Sequence, residues 1–132
     1  MHNKLTFGML PQREAFYKLM QASFSTPQKN LAVYRFCQKA YSLLDVLETE
    51  RSKLVKKYGD PTGNGSEYMI PTPRLQEYRD ALRTLFDTEI EEEFVLGLTE
   101  EDFENCQYPA DKTLWLNAGE ISFFLQFANK EK

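Results

Sequence analysis

The sequence predicts a mainly α-helical α+β fold: an antiparallel three-helix frame with a long central helix, a small two- or three-stranded β element and short C-terminal helices. Two Thr-Pro pairs, Thr26-Pro27 and Thr72-Pro73, mark helix starts, because a hydroxyl group caps the first turn and proline fits its first position. Between residues 33 and 58 the apolar residues recur at spacings of three and four, which is typical of a helix. Between residues 89 and 98 the spacing changes to two, which favours a strand.

The central helix is predicted to run from Pro27 to Tyr58, followed by Gly59 as a residue able to take a positive φ. Its apolar face is broad in the first half and narrow in the second. We call its row of apolar residues, with the matching row on the next helix, the helix seam. The seam consists of Val33, Cys37, Ala40, Leu44, Leu47, Leu54 and Tyr58 on the central helix and Leu75, Tyr78, Leu82 and Leu85 on the next. Only Arg51 interrupts the row.

Two further helices complete the frame. The helix that starts at Pro73 can pack antiparallel along the seam, because its apolar residues have the same spacing. A shorter helix from about Pro11 to Phe24 places Phe16 and Leu19 on one face, and this face covers the broad half of the central helix.

The C-terminal part of the chain is predicted to mix strands and short helices. Residues 89–98 form the expected strand, with residues 4–7 and 113–116 as candidate partner strands. Thr99 with Asp102, and Asn117 with Glu120, have the spacing of helix caps. The second pair precedes a segment that also alternates like a strand, and we predict a helix there.

Length and composition indicate a single domain over residues 1–132, with the helical frame at about 10–87 and an acidic α+β portion at about 88–128. No run of 18 apolar residues and no signal peptide is visible, so we expect a cytoplasmic protein with no membrane segment. Cys37 and Cys106 lack CxxC spacing, and we expect both to be packing residues.

The Gly- and Pro-rich stretch "KKYGDPTGNGSEYMIP", residues 56–71, is the one segment that looks like a binding loop. Its glycines follow a helix, and no Lys-Ser or Lys-Thr pair follows them, which argues against a phosphate-binding loop. Compared with a calcium loop that starts at Asp60, it has Pro71 where a bidentate Glu is required. A plain turn between two helices is the favoured interpretation.

Catalytic, cofactor and metal sites are not expected. His2 is the only histidine and lies at the chain terminus, so no nucleophilic triad or His-ligated metal site can form around a central histidine. The aromatic residues Trp115, Phe123, Phe124 and Phe127 are expected to be core residues, because nothing polar converges on them. The sequence therefore predicts a non-enzyme.

Charge is unevenly distributed. Residues 84–111 hold 10 acids and no base, which is half of the chain's 20 acids. The predicted partner-binding residues are Glu89, Glu91, Glu92, Glu93, Glu100 and Glu101. Direct nucleic-acid binding is not expected, because Lys53, Lys56 and Lys57 follow Glu48 and Glu50 without forming a basic stripe.

The order of segments resembles a family of small uncharacterised proteins encoded by tailed bacteriophages and prophages. The resemblance rests on "KLTFGML", on "LAVYRFCQKAYSLLDVLETERSKLVKKYGD" with "EYMIP" after the turn, on "LQEYRDALRTLFDTEIEEEF" and on "LNAGEISFFLQF". It implies a phage setting, commonly among genes for head or tail construction, and supplies no catalytic residues.

Together these observations predict a non-enzymatic accessory protein that acts by protein–protein contact in virion assembly. Its partner would be a phage structural or assembly protein, it would be cytoplasmic or virion-associated, and it would self-associate through the helix seam. The alternative is an acidic inhibitor of a host nucleic-acid enzyme. In that case Glu89, Glu91 and Glu93 would repeat every ~6.6 Å along one strand face and imitate successive phosphates, with Glu100 and Glu101 as further decoy charge.

Overall fold

The computed structural model describes residues 5–63 and 67–127, and its described part is mainly helical, as predicted. Helices α1 to α5 are Arg13–Gln21, Pro27–Tyr58, Thr72–Phe86, Glu100–Asn105 and Ala118–Leu125. Two 3-10 turns span Phe7–Met9 and Lys112–Leu114, and strands β1 and β2 are Asp60–Pro61 and Tyr68–Met69. Of the helices in these two ranges, none has the length and apolar content needed to cross a membrane.

The start of α2 follows the predicted capping pattern, and the start of α3 differs by one residue. Thr26 Oγ1 accepts a hydrogen bond from the Lys29 backbone N–H at 3.2 Å, which satisfies a first-turn donor of α2. In α3, by contrast, Thr72 is already helical and Pro71 is the cap residue. The predicted Thr72 cap is therefore wrong, because the Arg74 N–H donates to the Pro71 carbonyl at 2.9 Å and the first turn closes one residue earlier.

Gly59 follows α2, as predicted, but for a different reason. Among the described glycines only Gly63 and Gly97 have positive φ, so the left-handed conformation anticipated for Gly59 does not occur. A Cβ atom at Gly59 would lie 2.6 Å from the Val55 carbonyl oxygen and 3.2 Å from the Tyr68 Cβ. Glycine is required here because the backbone passes too close to these atoms for any side chain.

The small sheet exists as a two-stranded antiparallel pair, but it lies in the turn between α2 and α3. Asp60 pairs with Met69, and Pro61 pairs with Tyr68. The strand predicted at residues 89–98 is wrong: the structure has one isolated bridge there, between Thr6 and Glu89, and the following residues are irregular.

The irregular course after Ile90 has a local cause. Gly97 has a φ of 75°, which ends any extended run. The Leu96 and Gly97 N–H groups both donate to the Phe127 carbonyl oxygen, at 2.8 and 3.2 Å, so they do not form a strand ladder. Leu96 and Leu98 are nevertheless buried, so the alternation of apolar residues correctly predicted their burial although no strand forms.

Of the two candidate partner strands, the one at residues 4–7 pairs with the predicted strand only through the Thr6–Glu89 bridge, and the one at residues 113–116 is wrong. In residues 4–7, Lys4 lies outside the described residues, Thr6 forms only the single bridge, and Phe7 begins a 3-10 turn. In residues 113–116 the chain forms the 3-10 turn Lys112–Leu114, because Asp111 Oδ1 accepts a hydrogen bond from the Thr113 N–H at 3.0 Å and caps the turn. Side-chain capping overrides the apparent β pattern there.

Both predicted C-terminal caps are confirmed as complete capping boxes. Thr99 caps α4 with Asp102 as its reciprocal partner, and Asn117 caps α5 with Glu120. The segment after Asn117 is therefore a helix, as predicted, and it ends at Leu125. Residue 128, the predicted limit of the acidic portion, lies outside the described residues.

Contacts between Cα atoms divide the chain into two compact units, each discontinuous in sequence. The helix-pair unit comprises Leu43–Glu91 with the N-terminal segment up to Leu10. The aromatic unit comprises Pro11–Ser42 with the segment from Glu92 onward. The single domain and its predicted division near residue 88 stay predictions.

The aromatic unit has a well-buried core centred on Phe16, which is 1% exposed. The Phe16 ring lies 6.2 Å from the ring of Phe36 and 5.6 Å from that of Phe124, between centroids. Cys37 Sγ lies 3.5 Å from the Phe16 carbonyl oxygen. Since Arg13 in turn contacts Tyr41, α1 and the first half of α2 are antiparallel. Val33, Cys37 and Ala40, the first three seam residues, are buried in this unit.

The helix-pair unit is less completely buried. The Tyr58 and Tyr78 rings are 6.3 Å apart, and the Arg51 guanidinium lies 5.9 Å from the Phe86 ring, so α2 and α3 are antiparallel. The seam residues of this unit are all half-buried: Leu44, Leu47, Leu54, Tyr58, Leu75, Tyr78, Leu82 and Leu85. Helix α3 contains no fully buried residue.

Candidate partner-binding surface

The helix-pair unit exposes the first two of the predicted partner-binding acids. The Ile90 N–H donates to the Leu5 carbonyl oxygen at 2.7 Å, and the Ile90 side chain is buried. Neighbouring side chains on an extended segment point in opposite directions. Glu89 and Glu91, which flank Ile90 in sequence, therefore point away from the buried Ile90 side chain and are exposed. The alternation of exposed and buried side chains was predicted correctly at these three residues, although no strand extends beyond them.

In the aromatic unit, Glu92 and Glu93 are exposed in a bend. Lys39 donates a hydrogen bond to the Glu93 backbone carbonyl and lies 5.5 Å from the Phe94 ring centroid. The ammonium group therefore binds main-chain oxygen and an aromatic face, and it forms no ion pair with the Glu93 carboxylate. Both glutamates keep their charge directed to solvent.

Glu100 and Glu101 occupy the first turn of α4, where the helix dipole stabilises negative charge. The third acid of that turn, Asp102, closes the capping box and pairs with Lys29 across the unit. The pKa of Asp102 is lowered from its ordinary value. The largest cause is the hydrogen bond from Lys29, and the second is the hydrogen bond from the Thr99 backbone N–H. The turn thus uses one acid internally and leaves two exposed.

Residues 89–101, which we call the acidic segment, expose all six predicted carboxylates: Glu89, Glu91, Glu92, Glu93, Glu100 and Glu101. Within the ranges 5–63 and 67–127, none of the six forms an ion pair. Because residues 91–99 are not a strand, the regular spacing that would imitate successive phosphates is absent. The segment can act as a field of negative charge, but its geometry is not that of a nucleic-acid strand.

An aromatic platform in the same unit as Glu92 was not predicted from the sequence. Trp115 was expected in the core, but it is 42% exposed. Its ring stacks on Tyr108 with centroids 5.4 Å apart, and its indole N–H donates to the Pro109 carbonyl oxygen at 2.7 Å. Phe124 is buried as predicted, with Phe123 and Phe127 half-buried. The Asp111 cap was the available signal, because it turns the chain immediately before Trp115.

The two cysteines show no sign of activation. Burial raises the pKa of the Cys37 thiol to about 12, and the thiol is fully buried. Burial also raises the pKa of Cys106, whose Sγ lies 3.3 Å from the Phe103 carbonyl oxygen. A thiol with a raised pKa is protonated at neutral pH and is a poor nucleophile.

The described residues contain no group of three or more His, Cys, Asp or Glu side chains arranged to hold a metal ion. Comparison with models of protein families, with characterised proteins and with solved structures found no match. The exposed acids and the aromatic platform are the features on which the function proposed below is based.

Proposed function

We propose that this protein acts by binding another protein, as a non-enzymatic accessory protein of a phage or prophage that takes part in virion assembly. One observation carries the proposal: the six carboxylates of the acidic segment are exposed and have no ion-pair partner among the described residues. Uncompensated negative charge attracts a positively charged surface and accelerates its association. The partner surface is accordingly rich in Lys and Arg.

Charge alone orients a partner, and affinity requires apolar contact in addition. The platform of Tyr108 and Trp115 can supply that contact, because exposed aromatic side chains are enriched among the residues that dominate interface energies. The ring of Trp115 is held by stacking and by its hydrogen bond to Pro109, so little side-chain freedom is lost on binding.

The phage setting is supported by the order of sequence segments described above, which also suggests head or tail proteins as partners. Self-association belongs to the same proposal. The half-buried residues of the helix seam, such as Leu47 and Leu82, would become more completely buried if a second copy covered them.

The test is affinity capture of the tagged protein from phage-producing cells, with the bound proteins identified by mass spectrometry. The variant Glu91→Lys/Glu92→Lys/Glu93→Lys reverses the charge of three acids in the segment. A matched control, Glu14→Lys/Glu67→Lys/Glu77→Lys, makes the same change in net charge at exposed positions outside it. We expect head or tail proteins to be enriched by the wild type and by the control, and to be lost in the first variant.

Salt provides a second readout, because screening weakens contacts between exposed charges. We expect capture of the virion protein to decline steadily as salt rises. Capture that is equal for all three proteins would show that the acidic segment is only a solvated surface. Enrichment of a host polymerase or nuclease in place of virion proteins would contradict the assembly role and favour the inhibitor.

A further inference from the structure

Arg51, the residue that interrupts the helix seam, lines a cleft in the structure. The seam passes from Leu47 to Leu54 through this residue, where the spacing calls for an apolar side chain. A charged residue at such a position weakens packing between paired helices, so its presence calls for another role. In the helix-pair unit the side chain of Arg51 lines an open cleft with a volume of about 260 Å³.

The cleft combines hydrogen-bond donors with aromatic walls. Arg51, Ser52 and Lys56 contribute a guanidinium, a hydroxyl and an ammonium group from one side of α2. Tyr68 of β2 and Tyr78 of α3 contribute aromatic rings, each with a phenolic hydroxyl. Ligand sites combine apolar or aromatic walls with polar groups, and this open cleft has both kinds of group, with the polar ones in the majority.

Positive charge predominates in the cleft. Its one acid, Glu48, lies 3.9 Å from the Arg51 guanidinium, and the Glu48 side chain is 75% exposed, so this ion pair is weak. Across residues 5–63 and 67–127, no hydrogen bond or ion pair engages the ammonium group of Lys56. The ammonium group of Lys56 is thus available to a group from outside the chain. The Arg51 guanidinium is held only by the weak Glu48 pair and by the Phe86 ring at 5.9 Å, and a stronger anion can displace Glu48.

We propose that this cleft binds an anionic group, a carboxylate or a phosphate, carried on a small ligand with a flat apolar body. The planar guanidinium of Arg51 can bind two oxygen atoms at once, and Lys56 adds a point charge. Tyr68 and Tyr78 receive the apolar body, because aromatic rings pack favourably on one another. The site is independent of the acidic segment and of the function proposed for it.

The test is an NMR titration of the full chain with phenyl phosphate and, separately, with phenylacetate. The signals to follow are the rings of Tyr68 and Tyr78 and the Arg51 Nε–H. We expect saturable shifts with at least one of the two probes, and that probe identifies the anion. We expect Lys56→Gln to weaken this binding by about tenfold, because it removes a charge-assisted hydrogen bond.

Lys53→Gln is the matched control. Lys53 lies on the same helix outside the cleft, is 68% exposed and pairs with Glu50 at 3.0 Å. Its loss removes the same charge and should change the affinity by no more than about twofold, since exposed charges act weakly at a distance. Equal weakening by Lys53→Gln and Lys56→Gln would overturn the proposal, and so would the absence of saturable binding of either probe to the wild type.

Arg51→Leu separates a ligand-binding role from a structural one. Leucine completes the helix seam, so we expect the melting temperature to rise while binding of the probe is lost. If Arg51 served only the fold, through Glu48 and the Phe86 ring, its replacement would lower the melting temperature and leave binding unchanged. That result would overturn the proposal.

Discussion

Lys29 and Asp102 form an ion pair in which the Lys29 Nζ lies 2.5 Å from the Asp102 Oδ1. The pair links the first turn of α2 to the first turn of α4, over 73 residues of sequence. Asp102 also accepts a hydrogen bond from the Thr99 N–H at 2.9 Å, through its other oxygen. The Asp102 carboxylate therefore completes the capping box of α4 and also links α4 to α2 through Lys29.

Lys29→Met should lower the free energy of unfolding by about 1 kcal/mol at pH 7, the upper end of the range for partly exposed ion pairs. The folded-state pKa of Asp102 is below its ordinary value of 3.8, so the pair stabilises fully above that pH. The stabilisation is lost as the pH falls through the folded-state pKa. Urea unfolding of both proteins from pH 7 to pH 2 measures the difference between them, which should shrink in acid.

The control for this experiment is Lys53→Met, which removes a lysine whose side chain is 68% exposed. It should change the free energy of unfolding by less than about 0.5 kcal/mol at every pH. A difference between wild type and Lys29→Met that stays constant down to pH 2 would contradict the assignment of the pH dependence to Asp102.

Phe16→Ala should be severely destabilising, by about 3–5 kcal/mol, because it leaves a cavity at the centre of the aromatic unit. Phe16 is 1% exposed and contacts the rings of Phe36 and Phe124. The adjacent Tyr17→Ala is the control, since Tyr17 is 46% exposed and should cost less than about 1 kcal/mol. Chemical denaturation measures both, and similar losses in the two variants would show that Phe16 is not the centre of the core.

Gly59→Ala should destabilise the protein by about 1–3 kcal/mol, because overpacking forces the backbone to move. The added Cβ would lie 2.6 Å from the Val55 carbonyl oxygen, which belongs to the last turn of α2 and cannot rotate away. Gly119→Ala is the matched control, because its Cβ would meet nothing closer than Asn117 Oδ1 at 3.4 Å.

Within α5, alanine is a better helix former than glycine, so Gly119→Ala should leave stability unchanged or raise it by up to about 1 kcal/mol. Thermal unfolding of the two variants gives the comparison directly. A Gly59→Ala protein as stable as the wild type would mean that the end of α2 can relax, and that the close approach to Val55 does not require glycine.

The local elements could be derived from the sequence because their causes are local. Helix α2 extends from Pro27 to Tyr58, as predicted, since Thr26 caps its first turn and a seam of apolar residues runs along it. The capping boxes at Thr99 and Asn117 depend on residues three positions apart, so their spacing was sufficient to predict α4 and α5. The exposure of the six acids likewise followed from their charge.

The tertiary structure alone decided which contacts the segment after Ile90 makes. The alternation of apolar and polar residues in 89–98 correctly predicted which side chains are buried. A strand also needs a neighbouring strand to hydrogen-bond with, and here the Leu96 and Gly97 N–H groups donate to the Phe127 carbonyl oxygen instead. The exposure of Trp115 is a different case, because its hydrogen-bond acceptor Pro109 and its stacking partner Tyr108 lie only a few residues earlier, and the Asp111 cap between them was a local signal in the sequence. Sequence by itself therefore determined the helices and the N-terminal caps of α2, α4 and α5. The course of the segment after Ile90 was determined by contacts between residues far apart in sequence. Its hydrogen-bond acceptor, the Phe127 carbonyl oxygen, is brought next to it only when the chain folds.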